Sequence, residues 1–234
     1  MAKFIITGDT HGTMDLAKVV RFFGDHEGEY NEDDHLIICG DVGACGFTPD
    51  MEKETRRVLR DLPVTVLFVD GNHEHHPRLN DLPVDEWMGG KVHFVEPDII
   101  HLMRGQVYDI NGTRFFTFGG AYSVDRYART EGFDWFPEEI PTYEEYEEGL
   151  ANLESCGYQV DYIITHSAPR EVAAALGYGE ESVEEIALRR YLQQIADETE
   201  FRKWFFGHFH EDEIIEEVFV AMYEEIMVID PSGC

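Results

Sequence analysis

Three short, unbroken apolar runs near the start of the chain most constrain its fold. They are Phe4 to Thr7, Leu36 to Cys39 and Val64 to Val69, and each ends in a turn rich in glycine, aspartate or asparagine. Continuous apolar runs of this length are typical of strands that are buried on both faces. These runs therefore predict parallel strands at the centre of a sheet.

The segments between these runs have the spacing of amphipathic helices. Apolar residues recur three and four positions apart at Leu16, Val19, Val20 and Phe23, and again, together with one threonine, at Met51, Thr55, Val58, Leu59 and Leu62. This spacing places side chains on one helix face. The pattern over the first 70 residues predicts a β-α-β-α-β unit with right-handed crossovers.

Strand and helix patterns continue through the rest of the chain. Asn111-Gly112, between two strand-like runs, predicts a two-residue hairpin turn. Thr142 with Glu145, and Ser182 with Glu185, have the spacing of capping boxes at helix starts. Strands and helices on both sides of the middle predict an α/β fold of two packed sheets flanked by helices, and the length suits a single domain over residues 1–234.

The formal net charge of −30 limits the partners that the chain can attract. Such a charge opposes binding to long nucleic acids and to anionic membrane surfaces. The four cysteines, Cys39, Cys45, Cys156 and Cys234, form no CxxC pair or dense disulfide framework. Neither a signal peptide nor an apolar run long enough to span a bilayer is recognisable. We therefore expect a cytoplasmic protein.

Metal-competent residues are concentrated in turns that follow five strand-like runs. The turns are Gly8-Asp9-Thr10-His11, Gly40-Asp41-Val42-Gly43, Asp70-Gly71-Asn72-His73-Glu74, Thr165-His166 and Gly207-His208-Phe209-His210. Open α/β sheets place their sites at the carboxyl ends of strands. Any one turn could merely satisfy its own backbone. Together, their carboxylates, carboxamide and imidazoles, without a thiolate, suit divalent manganese, iron, zinc or magnesium.

In order along the chain, these motifs resemble the calcineurin-like metallophosphoesterase family. The family pattern D-x-H, G-D, G-N-H-[E/D], H and G-H-x-H is matched between Asp9 and His210. The resemblance implies a four-layer α/β/β/α sandwich of two mixed β-sheets flanked by helices, and a metal-dependent phosphoesterase activity. It also implies two divalent metal ions, with manganese the preferred choice. One would be held by Asp9, His11, Asp41 and His210, and the other by Asp41, Asn72, His166 and His208, so that Asp41 bridges them.

The resemblance also implies a catalytic mechanism. A hydroxide shared by the two metals would attack the phosphorus atom in line with the leaving group. Asp41 and His73 are the predicted catalytic residues, because His73 would protonate the leaving oxygen. A structural turn histidine is the alternative for His73. Asn72 is also predicted to contact the substrate.

The second motif departs from the phosphoprotein phosphatase branch of the family. That branch has an aspartate and an arginine where this chain has Ala44 and Cys45. This difference argues against a standard serine/threonine phosphoprotein phosphatase. Glu74 could orient His73 in place of the missing aspartate, or it could be an exposed turn residue. The positive charge of the missing arginine could be supplied by Arg78, Arg104, Arg126, Arg129 or Arg170. Arg104 is the predicted substrate-binding residue. For each of these arginines, a position on the surface away from the substrate is the alternative.

Several functional alternatives stay open at the level of sequence. The aromatic-rich segment from Ala121 to Glu148 could be a lid over the substrate, or a connection packed against the sheets. The substrate could be a phosphomonoester or a phosphodiester, in the form of a small phosphorylated molecule or a phosphoprotein. The other possibilities are a non-catalytic interaction scaffold and a phosphodiesterase for cyclic or short nucleotides. The oligomeric state is left open.

Overall fold

A computed structural model describes residues 2–46, 48–179 and 182–231, so that Cys234 lies outside the described residues. The first sheet contains β1 (Phe4–Thr7), β2 (His35–Ile38), β3 (Thr65–Phe68), β4 (Val84–Trp87), β5 (Gly90–Glu96), β6 (Ile99–Leu102) and β13 (Met227–Ile229). Its strand order is β13-β1-β2-β3-β6-β5-β4. The neighbours β1, β2 and β3 are parallel, as predicted, whereas β13 and β5 run antiparallel to their neighbours. The sheet is therefore mixed.

The second sheet is also mixed. It contains β7 (Gln106–Ile110), β8 (Thr113–Phe118), β9 (Tyr162–Thr165), β10 (Lys203–Phe206), β11 (Glu213–Ile215) and β12 (Phe219–Ala221), in the order β11-β12-β10-β9-β8-β7. The predicted hairpin at Asn111-Gly112 is confirmed, because Ile110 pairs with Thr113 across it. Asn111 and Gly112 have φ values of 55° and 85°, as the two central residues of a type I′ turn require.

Helices cover the outer faces of both sheets. The α-helices are α1 (Ala17–Asp25), α2 (Pro49–Arg60), α3 (His76–Asn80), α4 (Tyr143–Ser155), α5 (Arg170–Ala175) and α6 (Val183–Glu198), and 3₁₀ helices occupy Arg126–Ala128 and Pro137–Glu139. The Thr142 and Glu145 capping box is confirmed at the start of α4, and Ser182 accepts the expected backbone bond at the start of α6. Val20 and Met51 differ from their predictions, because they are 47% and 39% exposed rather than packed in the core.

Three buried clusters separate the four layers. Alternate strand residues such as Phe4 and Phe205 pack between the two sheets, where the Phe4 and Phe115 rings lie 4.7 Å apart. The opposite face of the first sheet packs on α1 and α2, and that of the second sheet packs on α4, α5 and α6. The α/β/β/α sandwich is thus confirmed. Among the described residues, no helix is both long and apolar enough to cross a membrane.

Candidate metal centre

The carboxyl ends of β1, β2, β3, β9 and β10 meet at one edge of the sandwich. Hydrogen bonds hold their turns together: the His11 backbone N–H donates to the Asp41 carbonyl at 2.7 Å. The His166 ring, from the second sheet, contacts the Cys39 carbonyl of the first sheet at 2.7 Å. The structure thereby brings together all the residues that the sequence predicts as metal ligands, namely Asp9, His11, Asp41, Asn72, His166, His208 and His210.

Asp41 lies between two groups of these side chains and is only 1% exposed. Its Oδ1 atom is 3.5 Å from His166 Nε2, whereas its Oδ2 atom is 3.4 Å from His11 Nε2. The His73 backbone N–H donates to Oδ1 at 2.8 Å and restrains the carboxylate. A carboxylate with one oxygen on each side has the geometry that a bridge between two cations requires.

The first group consists of Asp9, His11 and His210, whose donor atoms lie within 4.8 Å of one another. His11 Nδ1 is 2.7 Å from Asp15 Oδ2. A carboxylate at Nδ1 favours the tautomer in which Nε2 is unprotonated and free to bind a metal. Sequence reasoning did not identify Asp15 as a partner of His11, although its position four residues after His11 could have indicated the contact.

The second group consists of Asn72, His166 and His208. Asn72 Oδ1 is 3.0 Å from His166 Nε2 and also 3.0 Å from His208 Nδ1. Donor atoms about 3 Å apart match the edges of a coordination shell with metal–ligand bonds of about 2.1 Å. His166 Nδ1 faces the Cys39 carbonyl, which leaves Nε2 as the ligand atom. The donor types and their spacing therefore fit a divalent cation.

The electrostatics of the centre also favour cations. Burial raises the pKa of Asp9 to about 7, and the neighbouring Asp41 adds to this effect while His166 opposes it. Burial works against a charged His11 ring, but its contacts with Asp41 and Asp15 raise the pKa of His11 to about 9. For His166 burial is again opposed by Asp41, and the pKa rises to about 10. Protons thus compensate for buried carboxylates, and bound cations could replace them.

Five of the candidate ligands share an uncommon backbone conformation. Positive φ values occur at Asp9 (24°), His11 (43°), Asp41 (54°), His208 (71°) and His210 (53°). Left-handed conformations cost energy for residues other than glycine, and they concentrate at functional sites. The strained turns therefore mark the same edge of the sandwich as the side-chain geometry does.

Two glycines allow the ligand turns to approach closely. A Cβ atom on Gly40 would lie 2.2 Å from His166 Nδ1, and one on Gly71 would lie 2.1 Å from Asp41 Oδ1. Both distances are far below any contact that packed atoms tolerate. At both positions, therefore, a side chain larger than hydrogen would displace a candidate ligand.

His73 lies beside the two groups and contacts an arginine from a distant segment. Arg129 Nη1 is 2.9 Å from His73 Nδ1, and Arg129 Nη2 is 3.3 Å from His73 Nε2. Asp125 and the Asp134 carbonyl hold the guanidinium in place at 2.7 and 3.1 Å. Burial lowers the pKa of His73, with Asp41 opposing and Arg129 reinforcing the shift. Arg129 was one of the arginines considered in the sequence, but it was not the preferred one.

The preferred arginine, Arg104, lies elsewhere. It is 8% exposed and donates to Asp70 Oδ2 through Nη2 at 2.6 Å and through Nε at 3.0 Å. It also donates to Glu145 at 3.2 Å. The structure does not bring Arg104 into the group of candidate ligands, and its contacts are those of a buried ion pair. Its substrate-binding role stays a prediction.

Glu74 connects two of the ligand turns. The alternative of an exposed turn glutamate is wrong, because Glu74 has no exposed surface. One carboxylate oxygen accepts from the Val42 N–H at 2.6 Å and the other from the Gly71 N–H at 2.7 Å. Ala44 and Cys45, which replace the phosphatase-branch aspartate and arginine, are both buried in the apolar core beneath these turns.

Sequence reasoning also did not identify a polar network that lies behind Asn72. The Asn72 side-chain amide donates to Ser123 Oγ at 3.0 Å, and Ser123 Oγ donates to Glu139 at 2.8 Å. Arg126 donates twice to the same carboxylate. Ser123, Arg126 and Glu139 belong to the segment 121–148. This part of the segment therefore packs against the candidate ligand Asn72. No short motif marks them in the sequence.

Comparison with known proteins identifies a distant sequence relative and two structures of the same fold. The chain is 27% identical over 184 residues to a lariat debranching enzyme from Schizosaccharomyces pombe, an alignment that covers 71% of this chain and 37% of the relative. A structure described as a 5′-nucleotidase from Staphylococcus aureus superposes with a TM-score of 0.58 at 13% identity, covering 98% of this chain and 51% of the other. Phosphopantetheinyl hydrolase from Mycobacterium tuberculosis gives a TM-score of 0.50 at 19% identity, covering 95% and 89%. The two structural likenesses show the fold. The chain spans 37% of the length of the curated relative that it matches here.

The family model for calcineurin-like phosphoesterases matches residues 2–212, which is nearly the whole chain. The matched range contains all the candidate ligands from Asp9 to His210. The protein therefore belongs to the calcineurin-like phosphoesterase family.

Proposed function

We propose that the protein hydrolyses a small phosphoester with two divalent cations bound at this centre. The main support is Asp41, whose two oxygens face different groups of donor atoms at 3.4 and 3.5 Å. The proposed ligands of one cation are Asp9, His11, Asp41 and His210, and those of the other are Asp41, Asn72, His166 and His208. When bound, the cations would neutralise phosphoryl charge and lower the pKa of the attacking water. Manganese is the proposed metal, with iron, zinc or magnesium as alternatives.

His73 is the proposed proton donor to the leaving oxygen. It lies next to the Asp41 carboxylate, 3.9 Å from ring Nε2 to Oδ2, and its side chain is 25% exposed. A partly exposed imidazole can take a proton from solvent and deliver it to a leaving group. Arg129 contacts the His73 ring at 2.9 and 3.3 Å, and its N–H groups cannot donate to a ring nitrogen that carries a proton. When His73 is protonated, Arg129 would therefore turn toward the phosphoryl oxygens and add a positive charge there. Arg129 would thus supply the positive charge of the phosphatase-branch arginine, whose position is occupied here by Cys45.

The charges of the two ester types differ, and this difference separates the substrate alternatives. A phosphomonoester is a dianion near neutral pH and a phosphodiester is a monoanion. Because the attraction of Arg129 scales with substrate charge, Arg129→Gln should impair monoester hydrolysis more than diester hydrolysis. The net charge of −30 supports small substrates over long nucleic acids. Cyclic or short nucleotides stay compatible with the proposal.

The test is metal analysis of the purified protein followed by turnover of p-nitrophenyl phosphate and bis(p-nitrophenyl) phosphate with added Mn²⁺. Asp41→Asn should abolish metal-dependent turnover of both esters. His73→Gln should lower kcat by about 10²–10⁴-fold for phenyl phosphate, whose leaving group needs a proton. The loss should be smaller for the p-nitrophenyl esters, because p-nitrophenolate leaves without protonation. His26→Gln, at the residue that directly follows α1, is the matched control.

The opposite result would favour a different class of function. A protein that binds no divalent metal and hydrolyses none of these esters would support a non-catalytic scaffold. A scaffold would also tolerate Asp41→Asn without loss of partner binding. The proposed location is the cytoplasm, where a reducing environment suits Cys39, Cys45 and Cys156, which form no disulfide within the part of the chain that the structure describes.

A further inference from the structure

We infer that Ser123 and Glu139 are positioning residues that fix the orientation of the Asn72 side-chain amide. They would thereby decide which Asn72 atom faces the cation position shared with His166 and His208. The inference rests on the proposed function, because it assumes that this position binds a metal. It concerns a hydrogen-bond chain that lies outside the family motifs.

The chain begins at the Glu139 carboxylate, which has no exposed surface. It accepts four hydrogen bonds: from Ser123 N at 2.8 Å, from Ser123 Oγ at 2.8 Å, and from Arg126 Nε and Nη2 at 2.8 and 2.6 Å. An ionised carboxylate can only accept hydrogen bonds. Burial raises the pKa of the Glu139 carboxyl, and these four hydrogen bonds, two of them from a guanidinium group, oppose that shift by stabilising the ionised form.

The polarity of the remaining bonds follows from that carboxylate. A serine hydroxyl has one hydrogen, and Ser123 must use it toward Glu139. Ser123 Oγ is then an acceptor for its other buried neighbour, Asn72 Nδ2, at 3.0 Å. With its nitrogen engaged by Ser123, Asn72 presents Oδ1 on the opposite side, 3.0 Å from both His166 Nε2 and His208 Nδ1.

The orientation matters because the two ends of a carboxamide are nearly equal in size but opposite in polarity. Oδ1 carries lone pairs that can bind a cation, whereas the NH₂ group would point two hydrogens at it. Shape alone does not discriminate between the two orientations. The hydrogen-bond partners behind Asn72 favour one of them, and these partners are Ser123 and, through it, Glu139.

Glu139→Gln would reverse this polarity with little change of shape. The new side-chain amide can donate to Ser123 Oγ, which frees the Ser123 hydrogen to point at Asn72. Asn72 would then accept that bond through Oδ1 and turn its NH₂ group toward His166 and His208. Ser123→Ala instead removes the partner of the Asn72 nitrogen and leaves both orientations accessible.

The experiment is calorimetric titration of the full chain with Mn²⁺. The wild type is expected to bind two ions, and Glu139→Gln and Ser123→Ala should each weaken one of them by about 10–100-fold while the other is unchanged. Thermal melting of the metal-free proteins shows whether each variant is folded at the titration temperature. Ser155→Ala, which removes an exposed hydroxyl from the end of α4, is the matched control.

The possible results separate the inference from the proposed function. If the wild type binds two ions and both folded variants bind them with unchanged affinity, the positioning role is wrong although the phosphoesterase proposal stands. If the wild type binds no divalent ion, the proposed metal centre and the positioning role fail together. A general loss of stability would weaken both ions equally, and that outcome would also contradict the inference.

Discussion

Replacement of Arg104 by methionine tests whether this residue stabilises the fold or binds the substrate. Arg104 and Asp70 form a buried ion pair, with Nη2 2.6 Å from Oδ2 and side-chain exposures of 7% and 2%. Arg104 also donates to the backbone carbonyls of Glu138 and Glu139 at 2.9 and 3.3 Å. Methionine keeps much of the volume but none of the five donor groups.

The expected loss of stability is large because the buried Asp70 carboxylate would lose its positively charged partner. His101 Nε2, at 3.2 Å from Asp70 Oδ1, would be the nearest remaining partner of Asp70. Removing one member of a buried pair costs about 3–5 kcal/mol. For a chain of this size each kcal/mol lowers Tm by about 2–4 °C, so that Arg104→Met should lower Tm by about 6–20 °C.

The pH dependence of this stabilisation has a definite sign. Burial opposes ionisation of Asp70, but Arg104 and His101 hold the pKa of its carboxyl well below the usual range. A depressed pKa in the folded state stabilises the protein above the unfolded value of about 3.9 and loses that effect as the pH falls. The difference in Tm between wild type and Arg104→Met should therefore be greatest near neutral pH and shrink below about pH 4.

The assay is thermal melting of the metal-free protein, combined with steady-state kinetics well below Tm. Arg57→Met is the control, since Arg57 pairs with Glu54 and Asp61 on the exposed face of α2 and should matter little. A second substitution, Asp70→Asn, should restore part of the lost stability by removing the buried charge. If Arg104→Met instead leaves Tm close to that of the control and raises KM, Arg104 binds substrate and the reasoning above is refuted.

Three further predictions concern the metal centre. Because the pKa values of His11 and His166 are raised to about 9 and 10, Mn²⁺ binding at pH 7 should release protons and strengthen as the pH rises toward 9. Calorimetry in buffers of different ionisation enthalpy measures this release. If the heat of Mn²⁺ binding, corrected for titration of the metal into buffer alone, is the same in all buffers, no protons are released and the prediction is wrong. Gly71→Ala should weaken Mn²⁺ binding by about tenfold or more, because its Cβ would press on Asp41 Oδ1; unchanged affinity would show that the turn can relax. Asp15→Asn should weaken binding of one ion by about 10–100-fold, through the ring tautomer of His11, and an effect on both ions would argue for a general structural change.

Much of the fold could be predicted because its signals are local. The unbroken apolar runs that became β1, β2 and β3 need only their own residues to favour buried strands. Asn111-Gly112 has a local preference for positive φ, and it forms the expected turn. The candidate ligands were identifiable for a related reason. Each lies in a short turn directly after a strand, and parallel strands bring their carboxyl ends to one edge.

The surroundings of those ligands could not be predicted in the same way. Ser123 meets Asn72 from 51 positions away along the chain, and Arg129 meets His73 from 56 positions away. A serine or arginine in a connecting segment has no local pattern that reveals its partner. Gly105, which follows Arg104 at the end of a strand-like run, is a local feature that favours Arg104 as a substrate ligand. The buried pairing of Arg104 with Asp70, by contrast, depends on how distant segments pack. Local sequence thus specified the strands and the turn chemistry. The charge partners depended on chain packing, because contacts between distant segments exist only after the two sheets have come together.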